Sequence, residues 1–123
     1  MTDERLQRET ILWLATTRPD GRPHLTPIWY CWVEDRFWIC TNSTAVKTRN
    51  IAVHPTVSVA LGSGSAPIVS EGRAVIHHRP YPEAVRAAFV RQFDWDIGAP
   101  DEDGPYDALV EIIPEKWLMG DPR

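Results

Sequence analysis

The stretch His24–Val33, HLTPIWYCWV, decides how this chain has to be read. In an extended strand, alternate side chains point to opposite faces. One face carries His24, Thr26, Ile28, Tyr30 and Trp32, and the other carries Leu25, Pro27, Trp29, Cys31 and Val33. Both faces are largely apolar, and three aromatic rings crowd between Trp29 and Trp32. A small domain has one core and turns one side of a sheet towards it. The second side of this strand therefore needs a cover.

Outward from this stretch the pattern stays β-rich. Ile11–Thr17 reads as a strand, and TRPDGRP (17–23) is dense in turn residues, with Pro19 to start a turn and Gly21 to supply positive φ. Glu34-Asp35 opens a tight connection, and Arg36–Thr41 returns as a third strand of an antiparallel meander. Asn42, Ser43 and Thr44 offer capping groups to a helix over Ala45–Val53, which His54-Pro55 stops. Thr56–Leu61 and Ile68–His77 are two more strands, separated by a flexible loop over Gly62–Pro67. Glu83–Phe93 spaces Val85, Ala88, Phe89 and Phe93 along one helical face, with Pro82 suited to its first turn. An acidic loop, Asp94–Asp107, leads to a last strand over Ala108–Ile113, and residues 3–10 form a short surface helix. Six strands and two or three helices, mostly hairpin-linked, imply an α+β fold whose antiparallel sheet can close into a small barrel.

Composition sets outer limits. The 123 residues fit one domain, 1–123, and 43% of them are hydrophobic, enough for a core. A domain this small gains from extra burial at a subunit interface, and its six tryptophans must be buried somewhere. A net charge of −4 argues against nucleic acid as a partner. No apolar run reaches the length of a membrane span, and the acidic start MTDERLQRET lacks a signal-peptide pattern, so a cytoplasmic protein is expected. Cys31 and Cys40 read as free buried thiols and make no metal site.

Little of the usual catalytic vocabulary is present. There is no nucleophile elbow, zinc helix, P-loop or dinucleotide fingerprint. His77 and His78 are adjacent on a strand and point apart, and His54 sits at a helix end. The informative segment is TNSTAVKTRNI (41–51), which follows a strand and opens a helix. Exposed N–H groups, the Ser43 and Thr44 hydroxyls, a point-charge Lys47 and a forked Arg49 together suit a phosphate. The same segment also reads as a surface helix with two solvated cations. Next to it, His24, Thr26, Tyr30 and Thr41 present polar tips on one face, while Trp29, Trp38 and Cys40 occupy the other. Such an aromatic-lined slot beside an anion site suits a planar cofactor with a phosphate tail, or else is plain core.

Four segments in order, LATTRPDGRPHLTPIW, the short hairpin, KTRNI and HPTVSVAL, resemble the pyridoxamine phosphate oxidase-like split β-barrel proteins, and more closely their flavin- and deazaflavin-dependent oxidoreductase branch. The resemblance spans about residues 8–77. It implies a six-stranded antiparallel split β-barrel, a homodimer, and a cofactor at the subunit interface, either FMN or the deazaflavin coenzyme F-420. One side of strand 24–33 would then face the barrel interior and the other the second subunit. Carried over, Thr26, Pro27, Ile28 and Trp29 would lie beside the ring; Thr41, Asn42 and Ser43 beside the ribityl chain and phosphate; and Lys47 on the phosphate. Arg49 would reach the phosphate or solvent, Asn50 would bind or stitch the turn, and Trp117 would approach from the partner chain.

The resemblance further implies an oxidoreductase that moves a hydride or electron pair to or from a small organic substrate. No acid–base pair is needed from the chain, although Tyr30 or His24 could donate a proton. The longer anionic tail of F-420 would want a basic groove, for which Arg18, Arg22 and Arg36 are candidates. Vitamin B6 oxidation is not expected, because the sequence stops at Arg123, soon after the last strand. A non-catalytic flavin or haem carrier is the alternative of another class, since this fold hosts several activities.

Overall fold

A computed structural model describes residues 4–99 and 106–120. Ile11–Thr17 (β1) forms because its apolar residues alternate: Leu12, Leu14 and Thr16 are buried, while Ile11 and Trp13 are exposed. It pairs with Pro23–Trp29 (β2) from Ile11↔Trp29 to Thr17↔Pro23. Cys31–Val33 (β3) pairs instead with Arg36–Thr41 (β4), from Cys31↔Trp38 to Val33↔Arg36. Glu34 and Asp35 both take positive φ in that two-residue turn, the backbone that a twisted hairpin requires.

The helix Val46–Val53 (α2) leads into Thr56–Ser63 (β5) and Ala66–His77 (β6), and the helix Glu83–Phe93 (α3) precedes Ala108–Met119 (β7). The strands form one antiparallel sheet in the order β2-β1-β5-β6-β7-β4-β3. Its two end strands, β2 and β3, are separated in the chain by Tyr30 alone. The sheet therefore curls until its edges meet at one residue, giving a split half-barrel. Tyr30 is pinned there: its N–H donates to the Thr10 carbonyl (3.0 Å) and its hydroxyl to the Leu6 carbonyl (2.8 Å) of the short helix Glu4–Arg8 (α1).

Apolar residues gather on both sides of the curled sheet. Inside the barrel, Leu14, Tyr30, Phe37, Ile39, Val59 and Ile112 belong to one buried cluster. Outside it, α3 lays Val85, Ala88 and Phe89 over Cys31, Trp38, Cys40 and Leu109. The cover for the second side is thus divided. Cys31 and Val33 lie under α3 of the same chain, whereas Leu25 (60% exposed) lies outside it and Trp29 (50%) meets only its last residue, Phe93.

Several expectations need correction. Six strands become seven because the 24–33 segment breaks at Tyr30. The Gly62–Pro67 loop is a tight hairpin, since Ser63 pairs with Ala66. The last strand runs to Met119, past Pro114, which sits opposite Gly72 at a register shift. Gly72 is required there: a Cβ would stand 2.1 Å from the Ile113 carbonyl oxygen. The first helix is not wholly superficial, because Leu6 is fully buried. The acidic loop lies outside the described residues over 100–105, but its start is core, with Ile97 buried and Trp95 packed on Phe89. Cys31 and Cys40 are buried thiols that share no disulfide.

Candidate functional site

The site follows from the strand break. Continued beyond Cys31↔Trp38, the β3–β4 register would set Ile28 against Thr41 and Thr26 against Ser43. The strands part instead: β2 pairs with β1, and no ladder joins it to β4 among the described residues. The parting leaves a split with the TPIW segment on one side and Thr41-Asn42-Ser43 on the other. The free edge of β2 offers there the backbone groups that β1 leaves unused.

Helix α2 closes one end of the split. Asn50 Nδ2 donates to the buried Thr16 Oγ1 at 3.0 Å, and Thr16 is the cross-strand partner of His24. Lys47 precedes Asn50 by one helical turn and shares its face, which stands it over the His24 end of β2. Lys47 is half-buried and has no hydrogen bond or ion pair among the described residues. Desolvation pushes its ammonium below the ordinary lysine value. On the inner face of β2, His24 Nδ1 and Thr26 Oγ1 are buried without a hydrogen-bond partner among the described residues. Each such atom costs a folded chain about 1–3 kcal/mol, so the arrangement suits a ligand that supplies acceptors. Burial first, then the charges of Arg18 and Lys47, holds the His24 imidazole below its ordinary value.

The turn before α2 is organised differently from the sequence expectation. Asn42 Oδ1 accepts from the Thr44 N–H (2.7 Å) and hydroxyl (2.6 Å), and the Asn42 carbonyl accepts from Thr48 Oγ1 (2.7 Å). The helix cap itself is Ala45, with no side-chain cap. Ser43 donates its N–H and its hydroxyl, both at 2.8 Å, to the two carboxylate oxygens of Asp107. Those two donors pull the Asp107 carboxyl below its ordinary value. A carboxylate of the chain thus already holds the donors that Ser43 would offer a phosphate.

The remaining candidates scatter. Thr41 is buried and paired with Ala108, and Asn50 is engaged by Thr16. Arg49 is exposed. Ile28 packs on the barrel core, and Pro27 lies on the outer face. Trp29 stacks on Phe93 with centroids 4.5 Å apart and meets Trp95 edge-on. Trp117 packs on Trp32 and Phe37, at the opposite end of β4 from Thr41. Tyr30 is no proton donor: it is fully buried, its hydroxyl is bonded to Leu6, and burial raises it far above its ordinary value. His77 bonds Glu111 (2.9 Å), which also accepts from Arg36 (2.9 Å). Sequence reasoning missed Asp107 and Thr16, and no local signal could have found them, since each acts on a residue 64 or 34 positions away.

The curled, edge-split antiparallel sheet defines a split β-barrel protein. The chain belongs to the pyridoxamine 5′-phosphate oxidase family, whose model matches residues 2–119. No curated protein matches it. Among solved structures it is similar to HutZ, the haem storage protein of Vibrio cholerae (20% identity, TM-score 0.73, covering 98% of this chain and 95% of that one). It is also similar to an F-420 reductase (24%, 0.66, 93% of each chain). A third similar structure is an FAD-binding protein of Mesorhizobium loti (19%, 0.66, 93% and 87%). At these identities the three share the fold. No helix of the described residues is long and apolar enough to cross a membrane.

Proposed function

We propose that this protein is a cytoplasmic FMN-binding oxidoreductase, acting as a homodimer on a small organic substrate. The observation that carries the reading is the set of donors in the split that are unfilled among the described residues: Lys47, beside the buried His24 Nδ1 and Thr26 Oγ1. An anion fits them, and the flavin phosphate is the anion that the family resemblance supplies. Bound FMN would provide hydride or electron-pair transfer, chemistry the side chains lack. Lys47 neutralises the tail, the free edge of β2 near Ile28 and Trp29 hydrogen-bonds the polar rim of the ring, and the apolar walls exclude water.

The bare outer face of β1 and β2, with Ile11, Trp13, Leu25 and Trp29 exposed, supports a second copy as its cover. One observation favours FMN over coenzyme F-420. The arginines a longer anionic tail would need are engaged: Arg22 with Asp20, Arg36 with Glu111, and Arg18 with the Pro23 carbonyl.

The test is an absorbance spectrum of the purified protein followed by titration with FMN, coenzyme F-420 and haem. Saturable FMN binding, weakened in Lys47→Met, is the expected result. Preference for F-420 would keep the site and change the cofactor. A haem spectrum alone would make the protein a carrier, and binding of none would overturn the reading.

A further inference from the structure

We infer that His24 and Thr26 are ligands of the phosphate tail in the split, and that His24 holds it as an imidazolium, taking up one proton as the tail arrives. The inference rests on the flavin reading above and specifies how its phosphate end is recognised.

Three observations meet at this point. First, His24 and Thr26 are two apart on β2, so their side chains share the inner face, about 7 Å apart along the strand. Their polar atoms, Nδ1 and Oγ1, are both buried and both lack partners. Buried polar atoms are almost always satisfied, and two orphans on one face mark a place built for something that the described residues do not supply. Second, the unpartnered Lys47 stands over the same place, set there through Asn50 and Thr16. Third, the competing donors are closed: Ser43 gives both its N–H and its hydroxyl to Asp107. The Asp107 charge repels a phosphate from the turn and leaves Lys47, His24 and Thr26 to receive it.

The charge around His24 has one sign. Arg18 acts on it from the β1–β2 connection and Lys47 from α2. Thr16 of β1 and Asn50 of α2 are neutral and bonded to each other. Desolvated first, and then repelled by Arg18 and Lys47, the imidazole disfavours its charged form in the free protein. A bound phosphate reverses the local field and favours the charged ring. One proton passes from solvent to a ring nitrogen for each tail bound, and no bond of the ligand changes. An unphosphorylated flavin leaves the imidazole as it was.

Titration calorimetry at pH 7, in two buffers of different ionisation enthalpy, counts the protons. It is run with FMN and with riboflavin on the wild type, His24→Gln and Thr26→Val. Relative to riboflavin, binding of FMN is expected to draw up to one proton more in the wild type and in Thr26→Val than in His24→Gln. Thr26→Val is expected to weaken FMN about tenfold and leave riboflavin unchanged. The second ionisation of the phosphate itself, near pH 6, contributes equally to all three proteins. Equal proton counts in wild type and His24→Gln would overturn the inference and leave the flavin reading intact. Saturable binding of neither flavin would overturn both. Should His24→Gln fail to fold, the imidazole C–H resonances of the wild type decide: FMN must raise the titration point of His24, and an unmoved one refutes the role.

Discussion

The outer face of β3, β4 and β7 and the outer face of β2 and β1 both carry large apolar residues and meet different fates. Over the first, α3 buries Cys31, Trp38, Cys40 and Leu109 beneath Val85, Ala88 and Phe89. On the second, Ile11, Trp13, Leu25 and Trp29 stay between 46% and 60% exposed. The boundary runs through Trp29, whose ring leans on Phe93 at the end of α3. One half of the sheet completes its packing within the chain, and the other half presents an apolar surface outward. The contrast separates residues that serve stability from residues free to serve the dimer proposed above.

The largest effect should come from removing the cover. Phe89 is fully buried in the outer cluster, so Phe89→Ala should cost about 3–5 kcal/mol in chemical denaturation. The matching change on the bare half, Trp13→Arg with Leu25→Arg, should leave the folded chain within about 0.5 kcal/mol of wild type. It should nevertheless weaken self-association about a hundredfold or more, through lost apolar burial. Sedimentation velocity reads this directly, and a wild type that stays monomeric at high concentration would break the comparison.

Smaller effects sharpen it at the split. Lys47→Met keeps the aliphatic stem and removes the charge. FMN should bind about tenfold more weakly or worse and riboflavin as before, while the melting temperature rises slightly because a desolvated cation is gone. The smallest effect is at Asp107, whose folded value lies below 3.8. A lowered carboxylate contributes stability above its unfolded value, and that contribution is lost as pH falls through the lower folded value. Acid unfolding followed by circular dichroism should therefore begin earlier in Asp107→Asn, which lacks the charge at every pH.

Much of this was legible in the sequence because it is local. Ile11–Thr17 and Glu83–Phe93 stand where alternation and helical spacing put them. The break at Tyr30 was not legible, because every residue from Ile28 to Val33 favours a strand and neither glycine nor proline marks the place. Pro114 misled in the other direction: it looks like a strand end but occupies a bulge that Gly72 makes possible. The Ser43–Asp107 clamp joins residues 64 apart and exists only once β7 lies beside β4. The orphaned atoms of His24 and Thr26 are properties of packing and have no signature in the one-dimensional text.

The junction at Tyr30 also bears on how a ligand gets in. The two margins of the split are held by consecutive pieces of chain with one residue between them, and that residue is bonded to Leu6 and Thr10. There is no hinge at this end for a flap to swing on. Widening the groove there would mean tearing the β1–β2 or β3–β4 ladder, so its mouth is preorganised. Association at that mouth should follow single-exponential kinetics whose rate rises linearly with ligand concentration, without a saturating isomerisation step.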